Sequence, residues 1–218
     1  MKEYLHWLWH ASLEIARYRG TGALGNERAS SATIDYYVPI TKNPPKRIIG
    51  LGTIAQNQYK TNACTGFNGG HAVSIEKTIA THHFHTQEGT EVWKLQLDRG
   101  TADPAKGDYI ESAPIALEEA GIITKYEKVR RSDFEATLAD GKKIMTGARI
   151  GHPMCDKNWV FRTGQNEGGH AFLLIGYDET YFYALNSWGE NWGHKASGRF
   201  KIRKEDVSRL FTPFVIIL

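Results

Sequence analysis

The sequence predicts an α+β fold, with helices in the first half, antiparallel strands in the last third, and a cleft where the two halves meet. Three observations lead there. Between residues 64 and 120 apolar side chains recur at helical spacing. Beyond residue 170 the chain turns to short runs rich in β-branched and aromatic residues, bounded by turn residues. Asp178-Glu179 is a tight connection between two of those runs, which suits an antiparallel pair. A length of 218 residues allows one full domain, or two tightly packed halves around a single cleft.

Taken in order, residues 4 to 17 suit a short amphipathic helix. Leu5, Leu8, Trp9, Ser12, Ile15 and Ala16 fall near one face, and Trp7 lies off it. Such a helix packs onto the body or docks a partner. The run Arg19 to Asn26 holds three glycines and breaks the helix, and residues 19 to 34 have few large apolar side chains. Residues 1–34 are therefore read as an N-terminal extension and 35–218 as the main domain. Pro44-Pro45 marks an extended turn.

Residues 64 to 80 form the next predicted helix, carrying Phe67, Ala72, Val73, Ile75 and Ile79. Gly69 and Gly70 lower its propensity by about 1 kcal/mol each relative to Ala, so a neighbour is expected to pack closely there. Residues 109 to 120 make another helix, closed by Gly121. The mixed-charge run Lys125 to Arg131 reads as a solvated face. Strands are predicted at 171–177, 181–185, 198–202 and 214–218.

Composition narrows the function. The net charge of +3 is too mild and too evenly spread for nucleic-acid binding. The absence of a run of about 18 apolar residues excludes a membrane span. Two cysteines exclude a disulfide scaffold. The start of the chain has an acidic residue and histidines inside its apolar run, unlike a secretory signal, so a cytoplasmic location or a place in a protein or virion assembly is expected. His82, His83 and His85 lack a second cluster at ligand spacing, so no metal is expected. Cys155 reads as a buried filler or a pocket wall.

One set of residues remains. Cys64 lies at a predicted helix start, where the helix dipole favours a thiolate. Gln58, an amide donor, precedes it by six residues. His170 follows Gly168-Gly169 at the start of a strand, and Asn186 ends another, followed by Ser187-Trp188-Gly189 and then Trp192-Gly193.

Gln58-x5-Cys64, Gly169-His170-Ala171 and Asn186-Ser187-Trp188-Gly189-x2-Trp192-Gly193 resemble the three signatures of the papain-like cysteine peptidases, and in the same Cys, His, Asn order. The resemblance covers roughly residues 35 to 218 and implies the papain-like fold, with a helical half and an antiparallel sheet or barrel half flanking the active-site cleft. It implies Cys64 as nucleophile, His170 as acid and base, Asn186 as the group that orients His170, and Gln58 with the Cys64 N–H as oxyanion hole. It assigns Gly169, Trp188 and Trp192 to substrate binding; Trp188 also covers the His–Asn pair, and Trp192 either closes the loop beneath it or touches substrate. The substrate is a peptide or protein, and no cofactor is called for.

The chain also departs from the family. Cys64-Thr65-Gly66-Phe67 stands where Cys-Trp-Ala-Phe is usual, and Asn62-Ala63 replaces Gly-Ser. The family's glycine pair for substrate backbone has Gly107 as its nearest candidate. The Cys64-to-His170 gap is 106 residues, against about 130 in papain-type chains. The 34 or so leading residues are short for the family's long inhibitory leader. A second reading therefore stands beside the peptidase: a weak or inactive module on the same fold, docked into a larger assembly through its N-terminal helix.

Overall fold

The computed structural model describes residues 22–24, 34–50 and 53–218. The helix predicted over 4–17 lies outside them. Helices α1 (Cys64–Thr81), α2 (Gly89–Asp98) and α3 (Ser112–Glu119) come first, and α4 (Phe134–Ala139) follows β1. The strands are β1 (Lys125–Lys128), β2 (Ile144–Ile150), β3 (Gly168–Tyr177), β4 (Tyr181–Leu185), β5 (Arg199–Arg203) and β6 (Phe214–Ile217), in the sheet order β1-β6-β2-β3-β4-β5. The strand pairs are antiparallel.

β3 is the centre of the sheet and is buried on both faces. Phe172 and Leu174 point into a core with Phe134, Ile144, Phe161 and Phe200. Leu173 and Ile175 point the other way, onto Val73, Ile75, Val92 and Leu117 of the helices. A strand covered on both sides cannot alternate apolar with polar, hence the continuous run Ala171 to Ile175.

The glycines of α1 are explained by α2. A Cβ on Gly66 would sit 2.7 Å from the Trp93 nitrogen, and one on Gly70 2.8 Å from the Gln87 carbonyl oxygen. The predicted close neighbour is thus the second helix, whose own Gly89 receives Phe67. The backbones approach at the expense of helix propensity, and the apolar contact with Val92 and Leu117 offsets that loss.

The elements not read from the sequence include β1, β2, α2 and α4. β1 lies within the run Lys125 to Arg131, which is expected to be a solvated face. It is an edge strand paired with β6, and its charges suit an edge. Its one large apolar ring, Tyr126, packs edge-on against Phe214, with centroids 5.9 Å apart. β2 (IMTGARI) is interrupted by Gly147 and Arg149, which hides its period. Gly147 is required because a Cβ there would lie 2.3 Å from the His170 carbonyl oxygen. α2 is short and begins at glycine, so its local signal is weak.

Replacing Gly66 by Val puts a branched side chain against the rigid Trp93 backbone. Overpacking of this kind costs about 1–3 kcal/mol, and the melting temperature is expected to fall by roughly 2–4 °C per kcal/mol. Thermal denaturation followed by circular dichroism checks this; an unchanged midpoint would show that α2 yields.

Candidate active site

α1 begins at Cys64, so the first open N–H groups of the helix surround the sulfur. The other half of the site comes from the sheet. His170 stands on β3 opposite Ala148 of β2, and Asn186 directly follows β4. Antiparallel pairing of β3 with β4 carries the two side chains together: His170 Nε2 and Asn186 Oδ1 are 2.6 Å apart. The same Oδ1 accepts the Ser187 N–H at 2.8 Å, which orients the amide with its oxygen toward the ring. Nε2 is therefore the protonated nitrogen, and Nδ1 is the one suited to serve a thiol.

Trp188 lies over His170, with centroids 4.7 Å apart, and is itself 2% exposed. It shields the His170–Asn186 bond from water, which strengthens it. Trp192 packs edge-on beneath Trp188 at 5.0 Å and against Phe200 and Trp159. Trp192 therefore braces Trp188 from the sheet side. Beside Trp188 opens a depression of about 540 Å³, lined among others by Ile54, Asn57, Tyr59 and Glu190.

Gln58 is buried next to this wall. Its Oε1 accepts the Ser187 hydroxyl at 2.5 Å and its Nε2 donates to the Thr61 carbonyl at 2.7 Å, so the amide orientation is set. Its backbone is bonded to the Ser187 carbonyl at 2.9 Å. Two residues upstream, the Gln56 N–H donates to Nε2 of His71 on α1 at 3.0 Å, and the Gln56 side chain bridges Gln87 and Gly89. His71 is fully enclosed, and burial pushes its imidazole down to about 4.

The cleft is occupied by the chain itself. Asp108 donates its N–H to the Gly22 carbonyl at 2.6 Å and accepts the Leu24 N–H at 2.9 Å, while Ala23 donates to the Gly169 carbonyl at 3.1 Å. Residues 22–24 thus form a short strand held by both walls. Three glycines make the slot: a Cβ on Gly107 would sit 1.6 Å from the Gly22 oxygen, one on Gly169 1.8 Å from the Ala23 oxygen, and one on Gly22 1.7 Å from the Asn62 oxygen. The Ala23 methyl is 2% exposed, in a cluster with Cys64, Ile110, Ala171 and Phe211.

This strand changes the thiol. Cys64 has no exposed surface, and burial pushes its thiol up to about 11. The N–H groups of Ala171, Gly22, Thr65 and Cys64 itself pull the other way. The sulfur faces an amide N–H of the strand, and the Gly22 carbonyl is turned to Asp108.

Residues 61–210, more than half of the chain, match the family described as "Papain family cysteine protease". The chain belongs to the papain family of cysteine proteases. It is 26% identical over 150 residues to mexicain from Jacaratia mexicana, a match covering 66% of this chain and 63% of that protein's length. Among solved structures, xylellain from Xylella fastidiosa superposes with a TM-score of 0.74 at 17% identity, covering 91% of this chain and 97% of the other. Procathepsin L 3 of the Tenebrio molitor larval midgut gives 0.71 at 13% identity, over 96% of this chain and 79% of the other. These structural likenesses extend the α+β papain fold over nearly the whole chain.

Within this papain-family fold, His170 is bonded to Asn186, Gln58 is bonded to Ser187 beside Asn186, and Cys64 packs with Ala171, the residue after His170. Gly169 lines the slot and Trp188 roofs the pair. Sequence reasoning missed the walls: Asp108 beyond Gly107, Ile110 and Phe211 around Ala23, and the strand 22–24. The one available signal was Gly22-Ala23, small residues able to enter a narrow slot. His82, His83 and His85 lie at the C-terminal end of α1 and beyond. Among the described residues no three His, Cys, Asp or Glu side chains gather as metal ligands. Cys155 is a free, buried thiol in the sheet-side core. No helix among the described residues is long and apolar enough to cross a membrane.

His71 makes stability depend on pH. Its value is near 6.5 in the unfolded chain and about 4 in the folded one, so the unfolded chain binds the proton first. Stability from this group is full above pH 6.5 and is lost as pH falls toward 4, by roughly 3 kcal/mol. Urea titrations between pH 7 and 4 are expected to show this loss and to lose most of it in His71→Gln.

Proposed function

We propose that this protein is a cysteine peptidase that hydrolyses peptide bonds through a Cys64 thioester, held latent by its own residues 22–24. The observation that carries the reading is the 2.6 Å His170–Asn186 bond under Trp188, beside a cysteine at the first position of an 18-residue helix. The Cys64 thiolate attacks the substrate carbonyl carbon. The oxyanion is taken by the Cys64 N–H and the Gln58 side-chain amide, each donor of this kind being worth about 2.7–4 kcal/mol of barrier. His170, protonated by the thiol, donates from Nδ1 to the leaving amine and then takes a proton from the water that opens the thioester. Asn186 holds the ring in plane with both partners, and Trp188 keeps water from that bond. Gly169 and Asp108 offer backbone groups to an extended peptide, as they do to residues 22–24.

Latency follows from geometry. A nucleophile needs a carbonyl carbon, and the strand offers the sulfur an N–H. The Gly22 carbonyl accepts the Asp108 N–H. Residues 22–24 also exclude water from the thiol, which favours its neutral form.

The second reading, an inactive module, draws on the same occupied cleft and on the raised thiol. The full-length Ala23→Arg variant in a Cys155→Ser background separates the two, because an arginine cannot fit the apolar slot. Iodoacetamide labelling of Cys64 at pH 7 is expected to rise at least tenfold in Ala23→Arg, together with cleavage of a quenched-peptide library. Both are lost on adding Cys64→Ala. Labelling that rises only near pH 9 after the strand is displaced, with no cleavage, favours the inactive module.

A further inference from the structure

Asp108 carries a side chain that the mechanism above does not use. Its carboxylate has no exposed surface, and among the described residues it has no ion pair with Lys, Arg or His. Oδ2 accepts Gln96 Nε2 at 2.9 Å and the Thr101 hydroxyl at 3.0 Å. Oδ1 accepts the Tyr109 N–H at 2.8 Å and the Ser112 hydroxyl at 2.7 Å. Two donors on each oxygen are what an ionised carboxylate takes; an amide in its place would turn its own N–H groups toward two of them. A buried carboxyl group that lost any of these four partners would be left stranded at a high cost, so the arrangement calls for a use.

The backbone of the same residue supplies one. Asp108 presents both its N–H and its carbonyl to the peptide in the cleft, pairing with Gly22 and Leu24 on either side of Ala23. The network also reaches the nucleophile. The Gln96 amide that binds the carboxylate donates to the Thr65 hydroxyl at 3.1 Å, and Thr65 follows Cys64 in the first turn of α1. Thr65 and Gln96 are 1% and 0% exposed, so this chain of bonds is shielded from water throughout. The departure at Thr65, where the family has Trp, is thereby accounted for: a hydroxyl is needed to meet Gln96.

We propose that the Asp108 carboxylate is a positioning residue for peptide binding. It fixes the one-residue ledge that docks an extended peptide with a small side chain at the paired position. Through Gln96 and Thr65 it ties that ledge to the helix start that holds Cys64. The inference rests on the peptidase reading only where turnover is measured, since residues 22–24 are themselves a bound peptide.

The test uses the full-length chain, with Asp108→Asn and Thr65→Val. Amide hydrogen exchange reads the ledge directly, at the Leu24 and Asp108 N–H groups. Iodoacetamide labelling of Cys64 at pH 9 reads how firmly the strand covers the sulfur. In Asp108→Asn both amides are expected to exchange at least tenfold faster and labelling to accelerate by a similar factor. The β3 amides of Leu173 and Ile175 keep their protection. Thr65→Val gives a smaller change of the same sign, about two- to fivefold. With Ala23→Arg added, Asp108→Asn raises KM for a peptide more than it lowers kcat. A folded Asp108→Asn chain with unchanged exchange and labelling overturns the proposal. Should that variant fail to fold, Thr65→Val and Ser112→Ala decide: no change in either overturns it equally. Exchange and labelling need no turnover, so a protein without peptidase activity would leave this result intact.

Discussion

The packing of β3 between two cores is the constraint on which the site depends. One face of the strand closes the sheet-side core through Phe172 and Leu174, and the other receives the helices through Leu173 and Ile175. A strand so enclosed cannot slip register without sending every one of those side chains to the wrong face. His170 stands two residues before this locked segment, and Ala171 meets Cys64. The position of His170 is thus inherited from hydrophobic packing, and the hydrogen bond to Asn186 refines an arrangement that burial has already imposed.

Glycine is the second device, and it works the same way in two places. In α1 and α2 it lets helix backbones touch, which brings the Cys64 end of α1 close to the cleft floor. At Gly107 and Gly169 it leaves a slot just wide enough for an extended backbone, and Gly22 of the occupying strand completes the fit. A site built to hold peptide backbone holds the chain's own as readily. Three residues in register with two walls are enough to fill that slot.

The polar groups are arranged in separate, satisfied networks. Gln56 and His71 anchor the segment leading to Gln58. Gln96, Thr65 and Asp108 join the nucleophile's helix to the peptide ledge. The Gln96–Thr65 and Gln96–Asp108 bonds are buried, so they are electrostatically stronger than in water, and the loss of either would leave a partner stranded. Rigidity at the site comes from these networks more than from the loops that carry them.

Much of this was legible without coordinates. The strands at 171–177 and 181–185, the helix from Cys64, and the Cys64, His170, Asn186 and Gln58 set are local patterns, set by turn residues, apolar runs and short motifs. β2 and β1 were not legible, because Gly147 is small for the sake of His170 on another strand and the charges of Lys125–Lys128 are tolerated only at a sheet edge. The strand at 22–24 was read as linker, since three small residues carry no signal until two walls are placed around them. Asp108 precedes the helix predicted over 109–120, and its four donors arrive from α2, from the loop after it and from the turn into α3. The sequence by itself determined the candidate set Cys64, His170, Asn186 and Gln58 and which segments are helix or strand near them, because those depend on neighbours along the chain. Only the tertiary structure decided what fills the cleft and what holds its walls, because those depend on atoms brought within a few ångströms across tens of residues.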